Sequence, residues 1–176
     1  KALLRHAPLR IHLSLKGFTQ RFEQLIIYVP IDPYRLRADN ILGADYLGLE
    51  GELILSYQPK YWKFTVDSRA TKLEHKLRMS PRGPLPLRPN LFGTNRISIR
   101  RKVSDGHLEG WLQSTYRGSV TVDIFGERTL APRHILAIGL NRSWQQKQRY
   151  TLAVRVDNLT NQNSYDFALH PIPGRS

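Results

Sequence analysis

Leu47-Gly-Leu-Glu-Gly-Glu-Leu-Ile-Leu-Ser-Tyr57, then Gln58-Pro-Lys-Tyr61, then Trp62-Lys-Phe-Thr-Val-Asp67, is the stretch that decides the fold. Leu47, Leu49, Leu53, Leu55 and Tyr57 share one parity, and Glu50, Glu52 and Ser56 take the other. After four residues of turn character the alternation resumes, with Trp62, Phe64 and Val66 against Lys63, Thr65 and Asp67. Side chains on a strand point alternately to its two faces, so this spacing predicts a hairpin with one apolar and one polar face.

The same period runs along the chain. Leu9, Ile11, Leu13 and Leu15 interleave with Arg10, His12, Ser14 and Lys16. Ile97 and Ile99 alternate with Arg96, Ser98 and Arg100, and Leu108, Leu112 and Tyr116 with Glu109, Gln113 and Arg117. Leu136, Ile138 and Leu140 oppose Ala137, Gly139 and Asn141; Tyr150, Leu152, Val154 and Val156 oppose Thr151, Ala153, Arg155 and Asp157. No helical period is found. We expect an all-β chain of about seven antiparallel strands, near Leu9–Ile27, Gly43–Tyr57, Trp62–Lys72, Leu91–Lys102, His107–Arg117, Arg133–Trp144 and Tyr150–Asn158. Residues 1–176 read as one unit, without an internal domain boundary.

Connections come in two lengths. Gln58–Tyr61, Val103–Gly106 and Gln145–Arg149 are short; Val29–Leu42, Leu73–Asn90, Gly118–Pro132 and Asn158–Gly174 are long, and the two kinds alternate. An up-and-down meander gives this when tight turns gather at one end and loops at the other, as in membrane barrels. Period two alone does not separate an apolar face turned to a core from one turned to lipid. The aromatic residues bear on that choice. Tyr57 and Trp62 flank the first short turn, Trp144 and Tyr150 the third, all on the apolar parity. They fit a ring where strands leave lipid, or ordinary cross-strand pairs. The opposite parity holds Arg10, Lys16, Glu50, Glu52, Lys63, Asp67, Arg69, Arg96, Arg100, Arg117 and Arg155, which suits a wet lumen or a solvated sheet.

The 27 Lys and Arg against 14 Asp and Glu give a net charge of +13. Such a balance attracts nucleic acid, anionic lipid or lipopolysaccharide. The basic residues are scattered, with Arg100-Arg101-Lys102 the densest run, so no nucleic-acid partner is expected. Cysteine is absent, which removes disulfides, thiolate metal ligands and a cysteine nucleophile. The longest apolar run, Leu25–Ile31, is far too short for a membrane helix. Lys1 opens the chain without a signal-peptide pattern, which reads as a mature chain or a fragment. His6, His12, His75, His107, His134 and His170 form no metal motif, and no phosphate-loop, dinucleotide or nucleophile-elbow motif occurs. Glu50 and Glu52 share a strand face and read as wall residues before a catalytic pair. Asn141-Arg-Ser143 and Asn158-Leu-Thr160 match the glycosylation triplet, which short sequences meet by chance. The P-x-x-P spacing of Pro86 and Pro89 reads as a stiffened loop re-entering a strand.

Val154-Arg-Val-Asp-Asn-Leu-Thr-Asn-Gln-Asn-Ser-Tyr-Asp-Phe167 followed by Pro171-Ile-Pro-Gly-Arg-Ser176 resembles the end of a TonB-dependent outer-membrane receptor barrel. Asn158 and Asn161 suit a turn after a strand, because asparagine tolerates the left-handed region and bonds nearby backbone. Ala44–Leu53 with Ser56–Trp62 is similar to a G-x-E-x-E strand and its tight turn in that family. Leu85-Pro-Leu-Arg-Pro-Asn90 is similar to the lead-in to the next strand, and Ala131–Leu140 to the strand before the last pair. The resemblance implies a partial transmembrane β-barrel, about a third of the wall of a roughly 22-stranded barrel, without its plug, its TonB-contacting box or its last strand. It implies an outer-membrane location and energy-coupled uptake of an iron–siderophore chelate or another scarce nutrient such as cobalamin or a glycan. It also implies no enzyme activity and no cofactor. The implied partners are outer-membrane lipid, lipopolysaccharide and, for a complete receptor, the TonB-ExbB-ExbD coupling complex. Tyr34, Arg35, Arg37, Arg78, Arg82 and Arg128 then fall on extracellular loops, where arginine can clamp anionic groups, meet lipopolysaccharide phosphate or simply be solvated. The alternatives are a soluble basic β-domain that binds a polyanion, and a small self-contained outer-membrane barrel.

Overall fold

The computed structural model describes residues 2–6, 9–32, 34–78, 83–123, 126–145, 149–165 and 171–176, and these contain no helix. The described residues form ten strands in chain order: β1 Ala2–His6, β2 Leu9–Asp32, β3 Arg35–Tyr57, β4 Trp62–Leu77, β5 Leu91–Val103, β6 Gly106–Arg117, β7 Val120–Thr121, β8 Thr129–Leu130, β9 Arg133–Gln145 and β10 Arg149–Val156. Eight form one antiparallel sheet in the order β1-β2-β3-β4-β5-β6-β9-β10, while β7 and β8 form a separate ribbon. The sheet is thus an up-and-down meander, and among the described residues its outer strands β1 and β10 each pair on one side only.

Paired residues of neighbouring strands point to the same face, so the registers show how the two parities assemble. One row reads Leu9, Tyr57, Phe64, Ile99, Gly110, Leu140, Val154; the next reads Ile11, Leu55, Val66, Ile97, Leu112, Ile138, Val156. Seven strands therefore contribute to two apolar rows without a single charge. The other face carries the row His12, Ile54, Asp67, Arg96, Gln113, Ala137 and the row Lys63, Arg100, Glu109, Asn141, Ala153.

The apolar face is not covered. Ile97, Leu140 and Val154 are more than half exposed. The chain has 12759 Å² of accessible surface, where a compact folded monomer of its mass has about 8,800 Å². The buried core is small and lies at the loop end, where Ala44, Leu77 and Leu85 meet with Leu25 and Tyr46 beside them.

The seven expected strands are all present, and four details differ from the sequence reading. Ala2–His6 adds an eighth strand, paired to β2 from Ala2↔Leu13 to His6↔Leu9. The expected loop Val29–Leu42 is largely ladder instead: β2 and β3 stay paired out to Asp32↔Arg35. Ile26, Tyr28 and Ile31 are all about 60% exposed there. A hairpin solvated on both faces needs no alternation, so its sequence leaves no period to read. β4 continues to Leu77, beyond the expected end at Lys72. The expected loop Gly118–Pro132 carries the β7–β8 ribbon.

The tight turns have local causes. Trp62 N–H donates to the Pro59 carbonyl at 2.8 Å. Gly106 has φ of +150°, and a Cβ there would fall 1.9 Å from the Ser143 carbonyl oxygen, so this turn admits only glycine.

Candidate functional site

The polar face of the sheet holds a connected set of interacting charges. On β6, Glu109 is nearly buried and accepts from Arg100 Nη2 at 2.7 Å, with Arg96 Nη2 3.8 Å away. Trp111, two residues on and 7% exposed, has two guanidinium groups over its ring: Arg96 at 4.3 Å from the ring centroid and Arg155 at 5.6 Å. Each is within cation–π range. The indole spreads over β9 because position 139 is glycine; a Cβ there would meet Trp111 ring atoms at 2.3 Å. Across the sheet, Arg69 Nε reaches Asp67 at 3.0 Å and Glu52 at 3.3 Å, and His12 Nε2 lies 3.5 Å from Glu52. Ser14, Lys16, Glu50, Glu52, Arg69 and Phe92 line part of an open groove of about 340 Å³ beside them. Among the described residues no cluster of three metal-ligating side chains occurs. The face can hold and orient charged solutes through cations backed by carboxylates.

The loop end is organised by four side chains that bind backbone, Asn158, Asn161, His75 and Asp123. Asn158 is 3% exposed, with φ of 48°. Its Oδ1 accepts from Gln162 N–H at 2.8 Å, and its Nδ2 donates to the Gln162 and Pro173 carbonyls at 3.0 and 3.2 Å. Asn161, with φ of 52°, accepts from Arg175 N–H at 3.1 Å. Both asparagines take the left-handed, backbone-bonding role that the sequence suggested. His75 Nδ1 accepts from Leu85 N–H at 3.1 Å, which leaves Nε2 as the donor to the Arg88 carbonyl at 3.2 Å. Burial holds the pKa of this imidazole below the usual histidine value, against the opposing pull of the Arg88 carbonyl. Asp123 accepts the Gly126, Glu127 and Arg128 N–H groups at 2.7 to 3.1 Å.

The sequence-derived ligand candidates are not gathered into one site. Tyr34 is 96% exposed in the turn of the β2–β3 hairpin. Arg35 pairs there with Asp32, whose carboxyl the Tyr34 N–H and then the Arg35 guanidinium hold below the usual carboxylate range. Arg37 is exposed on β3 opposite Val29. Arg78 lies just past β4, where its N–H donates to the Gly43 carbonyl at 2.9 Å and its side chain is 3.9 Å from Glu23. Eight residues of extended β3 separate Gly43 from Arg35, about 26 Å at 3.3 Å per residue. Arg128 is exposed beside the Asp123 loop. Arg82 lies outside the described residues.

Sequence reasoning missed the Arg96–Trp111–Arg155 stack and the bridging role of His75. A glycine on a strand beside a tryptophan is the one sequence trace of the first; the second depends on a loop whose path no local pattern gives. No protein-family model matches the chain, and no curated protein matches it significantly.

Proposed function

We propose that the chain is part of the wall of an outer-membrane barrel, of the TonB-dependent receptor type that its C-terminal motifs resemble. In this reading the apolar face meets lipid, the charged face lines the lumen, and the long hairpin and loops stand on the extracellular side. One observation carries it: two apolar rows run uninterrupted across seven strands and remain exposed, with Ile97 and Leu140 each 52% exposed. Soluble monomers rarely leave so continuous an apolar surface uncovered. Tyr57, Trp62, Trp144 and Tyr150 fall on that same face at the tight-turn end, where interfacial aromatics belong. Leu47 to Tyr57 on β3 is about the length a tilted strand needs to cross the hydrocarbon.

The single-sided pairing of β1 and β10 among the described residues favours a wall segment over a small closed barrel. Unpaired backbone groups in lipid cost several kcal/mol each, so further strands would have to complete the wall before it could transport. The transported solute in this proposal is a scarce nutrient such as an iron–siderophore chelate, with lipid, lipopolysaccharide and the TonB-ExbB-ExbD complex as partners of the complete receptor.

The test is to dilute the urea-unfolded chain into phosphatidylcholine vesicles. Strand formation should accompany a blue shift of Trp62 and Trp144 emission, quenched by bromine placed near the lipid headgroups. A chain that folds as a soluble monomer without detergent or lipid would refute the membrane reading and favour a soluble polyanion-binding domain.

A further inference from the structure

At the tight-turn end of the polar face, β4, β5 and β6 form an open cavity of about 320 Å³. Lys60, Lys63, Arg100, Lys102 and His107 line it, with Tyr61 at its edge. The ladder enforces this crowding. Lys63 stands directly opposite Arg100, and Lys102 directly opposite His107. Lys102 N–H also donates to the Tyr61 carbonyl at 2.7 Å, which ties the base of the cavity to the turn.

Like charges placed opposite each other on neighbouring strands destabilise a sheet. The nearby carboxylate, Glu109, is already engaged by Arg100 at 2.7 Å and lies 3.8 Å from Arg96. Among the described residues no carboxylate lies within ion-pair distance of Lys60, Lys63 or Lys102. The cavity therefore concentrates several positive charges with too little negative charge to balance them. It combines flexible ammonium donors with a planar guanidinium, the mixture that suits tetrahedral oxyanions.

We propose that this cavity binds a phosphate-class oxyanion carrying two or more negative charges. Lys63 and Lys102 supply contacts from adjacent strands, and Arg100 is steadied by Glu109. The site depends on strand register alone, so it stands whether or not the apolar face meets lipid. Its ligand chemistry is shared by a free diphosphate and by an anionic phospholipid headgroup at the rim.

The test is calorimetric titration of inorganic pyrophosphate into the full chain, folded in amine-oxide detergent at about 0.15 M salt, where diffuse attraction is screened. Saturable binding at one site is expected. K63Q/K102Q should lose about tenfold or more in affinity, whereas K72Q/K76Q, which removes the same charge farther along β4, should lose less than about twofold. K63Q relieves a like-charge pair and should not lower the thermal midpoint. Should the double variant fail to fold, pyrophosphate protection of Lys63 and Lys102 from acetylation in the unaltered chain gives the same answer. Vesicles of phosphatidylglycerol, compared with phosphatidylcholine, identify the source: competition with pyrophosphate assigns a headgroup, and its absence assigns the free anion. Lack of saturable binding, equal losses in the two double variants, or no protection would overturn the proposal.

Discussion

From Leu9, Tyr57 and Val154 to Ile11, Leu55 and Val156, the large sheet keeps one continuous register, with two wholly apolar rows on one face and, over that span, charges confined to the other. Beyond Leu77 and Arg117 the uniformity ends. Beside scattered backbone bonds such as Leu87 N–H to the Thr121 carbonyl at 2.8 Å, the order there draws on single side chains that satisfy backbone: Asn158 for the C-terminal loop, His75 for the segment at Leu85, Asp123 for the loop before Arg128. The first region is redundant, because each strand is held along its length. The second depends on a few anchors, each bonding two or three backbone groups. One side-chain change should therefore act by position relative to a face in the first region, and by loss of a named bond in the second.

The largest effect should appear in the first region. Ile97 and Ser98 are adjacent on β5, the former opposite Val66 and Leu112, the latter opposite Thr65 and Trp111. Under the proposed membrane reading Ile97→Arg places a cation on the lipid face, at a cost of about 2–4 kcal/mol near mid-bilayer. Ser98→Arg places it on the charged face beside Trp111, at little cost. Vesicle folding yields should separate the two clearly; equal yields would remove the distinction between the faces. Leu152 is a gentler probe, since its row also contains Arg101 and Arg142. Arg142 lies over the Trp144 ring and pairs with turn residue Asp105, whose carboxyl it holds below the usual range. Such a row fits the headgroup level better than the hydrocarbon.

The second region should break at its anchors while the sheet stays intact. Asn158→Ala removes a buried acceptor and two donated hydrogen bonds, and leaves a Cβ-bearing residue without its side-chain bonds in the left-handed region. A loss of about 2 kcal/mol is expected, confined to the loop after β10. Asn158→Gly should recover about 1 kcal/mol of it, because glycine accepts the dihedral but not the bonds. Limited proteolysis after β10 reads the change, with far-ultraviolet circular dichroism as the control for the sheet. Resistance unchanged in both variants would mean that the loop is held by something other than Asn158.

The contrast also explains what the sequence could convey. The seven strands and their faces were legible because a two-residue period is local, and every parity assignment on the polar face, from Arg10 to Arg155, agrees with the registers. Asn158 and Asn161 were legible because their turn chemistry is intrinsic to asparagine. The outer half of the β2–β3 hairpin was not, since exposure on both faces removes the period. Strand registers depend on turn geometry as well as period, so Lys63 and Arg100 could be placed on a face but not opposite one another. Tyr34, Arg35, Arg37, Arg78 and Arg128 could be assigned to one end of the sheet, yet the spread from hairpin tip to Gly43 is a matter of strand length that composition does not encode.

The smallest effect, and the most selective, concerns pH. His75 is neutral when its Nδ1 accepts from Leu85 N–H, and burial depresses its pKa in the folded chain. The unfolded chain then binds the proton more readily, so the anchor's contribution is complete above the ordinary value of 6.5 and is lost as pH falls through the folded value. Protonation at Nδ1 would also turn an acceptor into a second donor facing the Leu85 amide. Hydrogen exchange at Leu85, corrected for its intrinsic pH dependence, should therefore accelerate between about pH 7.5 and pH 5. Amides of the central ladder, such as Ile97, should keep their protection. His75→Gln retains polar contacts without titrating in this window, and its Leu85 exchange should be flat. Flat exchange at Leu85 in the unaltered chain, or protection that grows on acidification, would show that the imidazole does not anchor this segment, and the Ala44, Leu77 and Leu85 cluster would then hold it together with the backbone bonds from Leu77 to Gly83 and from Leu87 to Thr121.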